Sequence, residues 1–158
     1  MKKQIPVLDI TRNQAALAIL LCFGIEMAHG NPFPNEIDPD SVYVVVNSTN
    51  PQTHITQAGL NAIFNMRLRH WYDESPVTVY VLQDDDSLHK TFCKLKLHVF
   101  PHQLRKGWNR QVFSGTGQAP LQIETKADML KRISETPGAI GYLPGKDLTA
   151  DVKILEID

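Results

Sequence analysis

Residues 42–46, Val-Tyr-Val-Val-Val, form a continuous β-branched and aromatic run with no polar break before Asn47. A strand of that kind has no face to offer water, so it predicts burial on both sides, as in the parallel sheets of α/β folds. The rest of the chain must then supply two covering layers. Residues 77–82 repeat the pattern, and residues 139–143 form a shorter third run. Helical spacing fills the gaps, giving strand, helix, strand, helices, strand: an α/β pattern with right-handed crossovers. Residues 152–157 alternate and predict a last edge strand.

Local signals place the helices. The Asn50-Pro51 pair marks a turn. Thr56 predicts an N-cap, behind which Leu60, Ile63, Phe64 and Trp71 fall near one helical face, with Arg67 and Arg69 off it. Asp84-Asp85-Asp86-Ser87 opens a second helix with an acidic first turn, suited to the positive end of the dipole. Leu88, Phe92 and Leu95 would form its inner stripe. Pro101 suits the first position of a third helix, along which Leu104, Trp108 and Val112 recur every four residues. Trp71 and Trp108 therefore read as core. Thr125 with Asp128 resembles the capping box of a fourth helix, whose Met129, Leu130 and Ile133 face inward until Pro137-Gly138 stops it.

Residues 1–30 have the parts of a secretory signal peptide. Lys2, Lys3 and Arg12 precede an uncharged stretch at 15–25, and Ala28-His29-Gly30 supplies a small-x-small exit. The stretch is shorter than the roughly 20 residues of a membrane-spanning helix. The alternative is an amphipathic helix of the fold. Cys22 fits a lipidation site poorly, because bulky Leu21 precedes it. Residues 31–41, with three prolines, read as an extended leader. Residues 42–158 then form one domain with one core, in the periplasm or secreted. The net charge of −1 offers no basic face for nucleic acid. Only Cys93 survives cleavage, so no intrachain disulfide can form; a lone cysteine there is buried or bridges to another chain.

Two blocks carry a family resemblance. One joins residues 42–47 to Ile55-Thr56-Gln57-Ala58-Gly59-Leu60-Asn61-Ala62-Ile63-Phe64 and Trp71. The other is Thr136-Pro137-Gly138-Ala139-Ile140-Gly141-Tyr142-Leu143-Pro144. In this order and separation they resemble the substrate-binding proteins of phosphate ABC transporters, and more closely the short members of that periplasmic-binding-protein-like family. The resemblance covers residues 42–155. It implies a single lobe of a type 2 periplasmic-binding-protein-like fold, mostly parallel sheet flanked by helices. It also implies a non-enzymatic extracytoplasmic protein that binds a small oxyanion such as phosphate weakly, or serves as an accessory of uptake. The alternative is an envelope protein-interaction module that kept the fold and lost the ligand, with a protein partner or self-association. A full receptor holds its ligand between two lobes. This chain matches the second, so a closed cleft needs a partner or a second copy.

The resemblance further points to residues 82–92. In phosphate binders of this type an Arg stands four residues before a Ser-Gly-Thr triplet, and hydroxyls plus helix-start N–H groups complete the grip. The matching positions here are Gln83, Ser87, Leu88 and His89. Gln83, Ser87 and His89 are thus the candidate ligand-binding residues. Gln83 can donate without charge, Leu88 adds bulk, and His89 is cationic only at mildly acidic pH. Asp84, Asp85 and Asp86 would repel an anion. The competing reading is a capped, solvated helix start.

Other constellations are weaker. Ser114-Gly115-Thr116-Gly117 could cradle an anion but lacks the lysine of a P-loop, and a turn is the simpler reading. His98 and His102 have zinc-like spacing, yet Pro101 between them argues against one helix. The three aspartates lack a calcium loop's glycine and distal glutamate. No serine lies in a nucleophile elbow, so no catalytic residue, metal or cofactor is assigned. Arg105, Lys106 and Arg110 read as a solvated helix face.

Overall fold

The computed structural model describes residues 37–158. The expected signal peptide, and the leader as far as residue 36, lie outside the described residues. Along the chain run β1 (Val42–Asn47), β2 (His54–Ile55), α1 (Gln57–Phe64), β3 (Thr78–Val81), α2 (Ser87–Phe92), α3 (Pro101–Phe113), β4 (Leu121–Gln122), α4 (Lys126–Glu135), β5 (Ala139–Pro144), β6 (Val152–Ile154) and β7 (Glu156–Ile157). The main sheet has the order β4-β3-β5-β1-β6, and β2 pairs with β7 apart from it. Three pairings are parallel, β3 with β4, β3 with β5 and β2 with β7.

β1 is buried as the run predicts, but both its neighbours, β5 and β6, run antiparallel to it. An uninterrupted apolar run reports cover on two faces, not strand direction. That cover is visible on β5. Gly141 faces α4, where a Cβ would stand 2.7 Å from Ile133 Cδ1. The next side chain, Tyr142, points to the opposite face, where its ring stacks on Phe92 at 3.9 Å and lies 6.3 Å from Phe64. Asn47 ends the apolar run without a penalty. Its Nδ2 donates to the carbonyls of Ile133 and Ser134 at 2.8 and 2.9 Å, closing the end of α4 against the sheet.

Thr56 and Thr125 are the N-caps the sequence implies, each hydroxyl accepting from a backbone N–H at 3.1 Å. Pro101 opens α3. Three stripe residues depart from expectation. Trp71 is buried but not helical: α1 stops at Phe64, and Met66 takes a left-handed φ of 59°. Leu95 is 55% exposed, because residues Cys93–Leu97 form a π-helix whose wider turn brings Cys93 and Leu97 inward instead. Val112 is 46% exposed on the last turn of α3, beyond buried Leu104 and Trp108. The alternating C-terminal segment divides in two, with buried Leu155 between edge strand β6 and β7.

Candidate functional site

The loop leaving the C-terminal end of β3 leads into α2. Asp86 N–H donates to Gln83 O at 3.0 Å, turning the chain, and Asp86 then becomes the N-cap of α2. The aspartates thus precede the helix and do not form its first turn. Asp86 Oδ1 accepts from Leu88 N at 2.7 Å and from His89 N at 3.1 Å. These are the helix-start N–H groups that an incoming anion would need. The protein's own carboxylate already holds them.

Asp84 is engaged as well. Arg105 of α3 grips it with two bonds, Nη2 to Oδ1 at 2.8 Å and Nε to Oδ2 at 3.1 Å, while the guanidinium lies 5.2 Å from the Trp108 ring centroid. The Arg105 fork holds the Asp84 carboxyl below its ordinary range, and Asp84 in turn raises Arg105. Arg105 is therefore a strut between α3 and the loop, not a free surface cation.

The three candidate residues separate. Gln83 and Ser87 are exposed on the loop, Ser87 as the first residue of α2. His89 is fully buried. Its Nδ1 lies 2.5 Å from the Tyr142 hydroxyl, and that oxygen accepts from Leu82 N at 2.8 Å. The arrangement that uses every proton has Tyr142 donating to Nδ1 and the imidazole proton on Nε2. Nε2 faces Cys93 Sγ at 3.5 Å and Asp84 Oδ1 at 3.8 Å. Burial lowers the His89 pKa, with Asp84 opposing it less strongly. Burial also raises Tyr142, and pushes the Cys93 thiol up to about 12. His89 is a neutral core histidine that ties α2 to β5, turned away from solvent.

Asp86, Arg105 and Tyr142 are the residues that organise this region; the sequence places Asp86 in it as part of an acidic, capped helix start, without singling it out as the cap, and assigns neither Arg105 nor Tyr142 to it. An Asp directly before a Ser at a helix start is an N-cap signal and could have identified Asp86. Arg105, 21 positions from Asp84, and Tyr142, on another strand, carry no comparable local signal. The other candidates resolve simply. All four N–H groups of Ser114 to Gly117 donate to carbonyls of α3 at 3.0–3.1 Å, so the segment is a helix C-terminus and not an anion cradle. His98, with φ 57°, precedes the start of α3, and His102 lies within it, stacked on Phe100. Among the described residues no group of three or more His, Cys, Asp or Glu side chains could hold a metal ion. Nor, among them, is any helix long and apolar enough to cross a membrane.

No family model matches the chain, and no curated protein matches it in sequence. Its fold does match solved structures. An ABC-type phosphate transport receptor from Vibrio cholerae superposes with a TM-score of 0.59 at 16% identity, over 75% of this chain and 46% of that one. A putative phosphate ABC transporter substrate-binding protein with bound phosphate from Clostridium perfringens gives 0.60 at 14%, over 75% and 45%. PstS from Borrelia burgdorferi gives 0.57 at 16%, over 75% and 47%. The chain spans less than half the length of each. The likeness is one of fold, and the α/β architecture expected from the resemblance is the one observed, a periplasmic-binding-protein-like fold with a sheet flanked by helices, except that the sheet is mixed: β3 runs parallel to β4 and β5, whereas β1 runs antiparallel to β5 and β6.

Proposed function

We propose that this chain is an extracytoplasmic interaction module, residues 42–158 behind a signal peptide at 1–30 and a leader at 31–41, that keeps a solute-receptor fold without capturing phosphate at the start of α2. The observation that carries this reading is the Asp86 carboxylate on the N–H groups of Leu88 and His89. An oxyanion would have to displace a tethered carboxylate and approach Asp85 as well. Two like charges about 4 Å apart near a protein surface repel by about 4 kcal/mol at an effective dielectric constant of about 20. One hydroxyl, Ser87, and one uncharged amide, Gln83, do not offset that. Arg105 brings no free charge because Asp84 already balances it. The partner is an envelope protein or a second copy of the chain, in an accessory role in uptake or signalling. The lone described cysteine, Cys93, is buried and held as a thiol, which supports a non-catalytic role.

Exposure of both Gln83 and Ser87 favours the second reading, weak binding of a small oxyanion. Isothermal titration of the full chain with phosphate, sulfate and molybdate separates the two. The interaction module gives no saturable heat. Saturable phosphate binding that disappears in Ser87→Ala would replace it with the oxyanion reading.

A further inference from the structure

The opposite end of β3 holds a different kind of surface. Residues 65–77 link α1 to β3 and fold back on themselves. Val77 N donates to Arg69 O at 2.8 Å, Trp71 N to Ser75 O at 2.9 Å, and Glu74 N to Trp71 O at 3.0 Å. The Trp71 indole donates to Gly138 O at 3.0 Å, fastening the tip of this loop to the start of β5. Against the loop lies an open cavity of about 420 Å³, within the range of small-molecule sites. Buried Ile55, Ile63 and Trp71 contribute its apolar lining. Gly59 leaves room there, since a Cβ would stand 3.0 Å from Ile55 Cγ1. Tyr72, 87% exposed, and the exposed carboxylate of Glu74 complete the lining on the loop side.

Carboxylates dominate the charge. Asp73 adjoins Glu74, and the Ser75 hydroxyl holds its carboxyl below the ordinary range. The lining imidazole of His54 has Glu156 Oε2 at 3.4 Å and Asp158 Oδ1 at 3.6 Å, so positive charge on it is already balanced. His70 is the other basic group on the lining. Arg69 is engaged elsewhere, its Nη2 donating to Thr116 O at 3.0 Å. Glu74 also sits at φ 63°, a left-handed conformation that glycine adopts freely and an L side chain resists. The fold places a carboxylate where backbone comfort would favour none.

We propose that this cavity binds a small organic cation, an amine or quaternary ammonium on an apolar body. The body lies on Ile55, Ile63 and Trp71, and the cation meets the Tyr72 ring and the Glu74 carboxylate, a pairing that aromatic faces and acidic groups both favour. An anion of the same shape meets the Glu74 carboxylate in that place, with His70 as the one lining basic group among the described residues not already paired to a carboxylate. The site is separated from the α2 loop by the length of β3, so it stands whether or not the interaction-module reading does.

The test titrates the full chain with benzyltrimethylammonium and phenylethylamine, with phenylacetate as the anion of similar shape, and follows tryptophan emission. Both cations should give saturable changes, and phenylacetate none in the same range. Tyr72→Ala and Glu74→Gln should each weaken the cations about threefold to fivefold, the first by the loss of an exposed cation–π contact and the second by the loss of an exposed ion pair. Glu74→Gly should bind no better than Glu74→Gln and show no fall in melting temperature, because it relieves the backbone. Absence of a saturable response to either cation, equal response to phenylacetate, or undiminished binding by Glu74→Gly overturns the proposal.

Discussion

The two ends of β3, a strand of four residues, use their polar groups in opposite ways. Past the C-terminal end, the chain satisfies itself: Asp86 caps α2, Asp84 takes the Arg105 fork, and Tyr142 links the Leu82 amide to His89. Before the N-terminal end, the backbone is equally well tied, but an aromatic ring and a carboxylate face solvent beside a cavity. On the proposed function, the contrast means that a helix start is not an anion site by its dipole alone. It becomes one only if the chain leaves its N–H groups unclaimed. On that reading, Asp86, one residue at the cap, decides what that helix start can hold.

The largest expected effect tests whether the N-terminal end is as rigid as its hydrogen bonds imply. Gly138 has φ 74°, and a Cβ there would collide with the Pro76 carbonyl oxygen. Gly138→Ala therefore combines backbone strain, about 1–3 kcal/mol, with overpacking of about 1–3 kcal/mol. A urea titration should show a loss of about 2–6 kcal/mol, and the Trp71 indole, deprived of its bond to Gly138 O, should emit at longer wavelength. An unchanged midpoint would mean that this loop is not pinned to β5. Tyr142→Phe applies the same question to the other end. It leaves the Leu82 amide and His89 Nδ1 without their partner, at about 1–3 kcal/mol. Cation binding at the distant cavity should survive it.

Sequence alone shows most of this scaffold and little of the contrast. The runs at 42–46, 77–82 and 139–143, the caps Thr56 and Thr125, and Pro101 are local signals, and each appears as an element. Helical spacing includes Trp71 with Leu60 and Phe64, yet left-handed Met66 ends the helix first, so the indole reaches the core from a loop. The π turn at Cys93–Leu97 shifts the inner stripe by a residue and exposes Leu95. At the candidate site, Ser87 and Gln83 emerge where the pattern puts them. The inward turn of His89 depends on Tyr142, 53 positions away, and the neutralisation of Asp84 on Arg105. Such pairings belong to the packed chain and leave no local trace.

The pH dependence sharpens the comparison next. Burial holds the folded His89 pKa below its ordinary value of about 6.5. As pH falls, the unfolded chain takes up the proton first, so stability from this group is complete above about 6.5 and is lost as pH drops through that value. Asp84, lowered by Arg105, acts with the same sign but further down, its stability being lost as pH falls from the ordinary carboxylate range toward the lower folded value. Denaturation midpoints between pH 7.5 and 5 should therefore decline, and His89→Gln, which does not titrate, should flatten that decline. A wild-type slope retained in full by the variant would remove His89 from the account.

The smallest effect on folding carries the most information about function. Serine caps helices about as well as aspartate, so Asp86→Ser should change stability by a few tenths of a kcal/mol from the cap and about 0.3–1 kcal/mol from the lost charge at the dipole. It removes the carboxylate from the N–H groups of Leu88 and His89 while keeping a short acceptor there. If Asp86 is what closes this helix start to anions, phosphate should raise the melting temperature of the variant in a concentration-dependent way and leave the wild type unmoved. Stabilisation would reach about 2.7 kcal/mol once phosphate exceeded its dissociation constant a hundredfold. A wild type that responds as strongly as the variant would mean the loop was open all along, and the two ends of β3 would no longer differ. Silence from both would shift the cause from the carboxylate to the loop itself, where Leu88 and the inward His89 leave no convergent donors, and the protein-contact reading would gain.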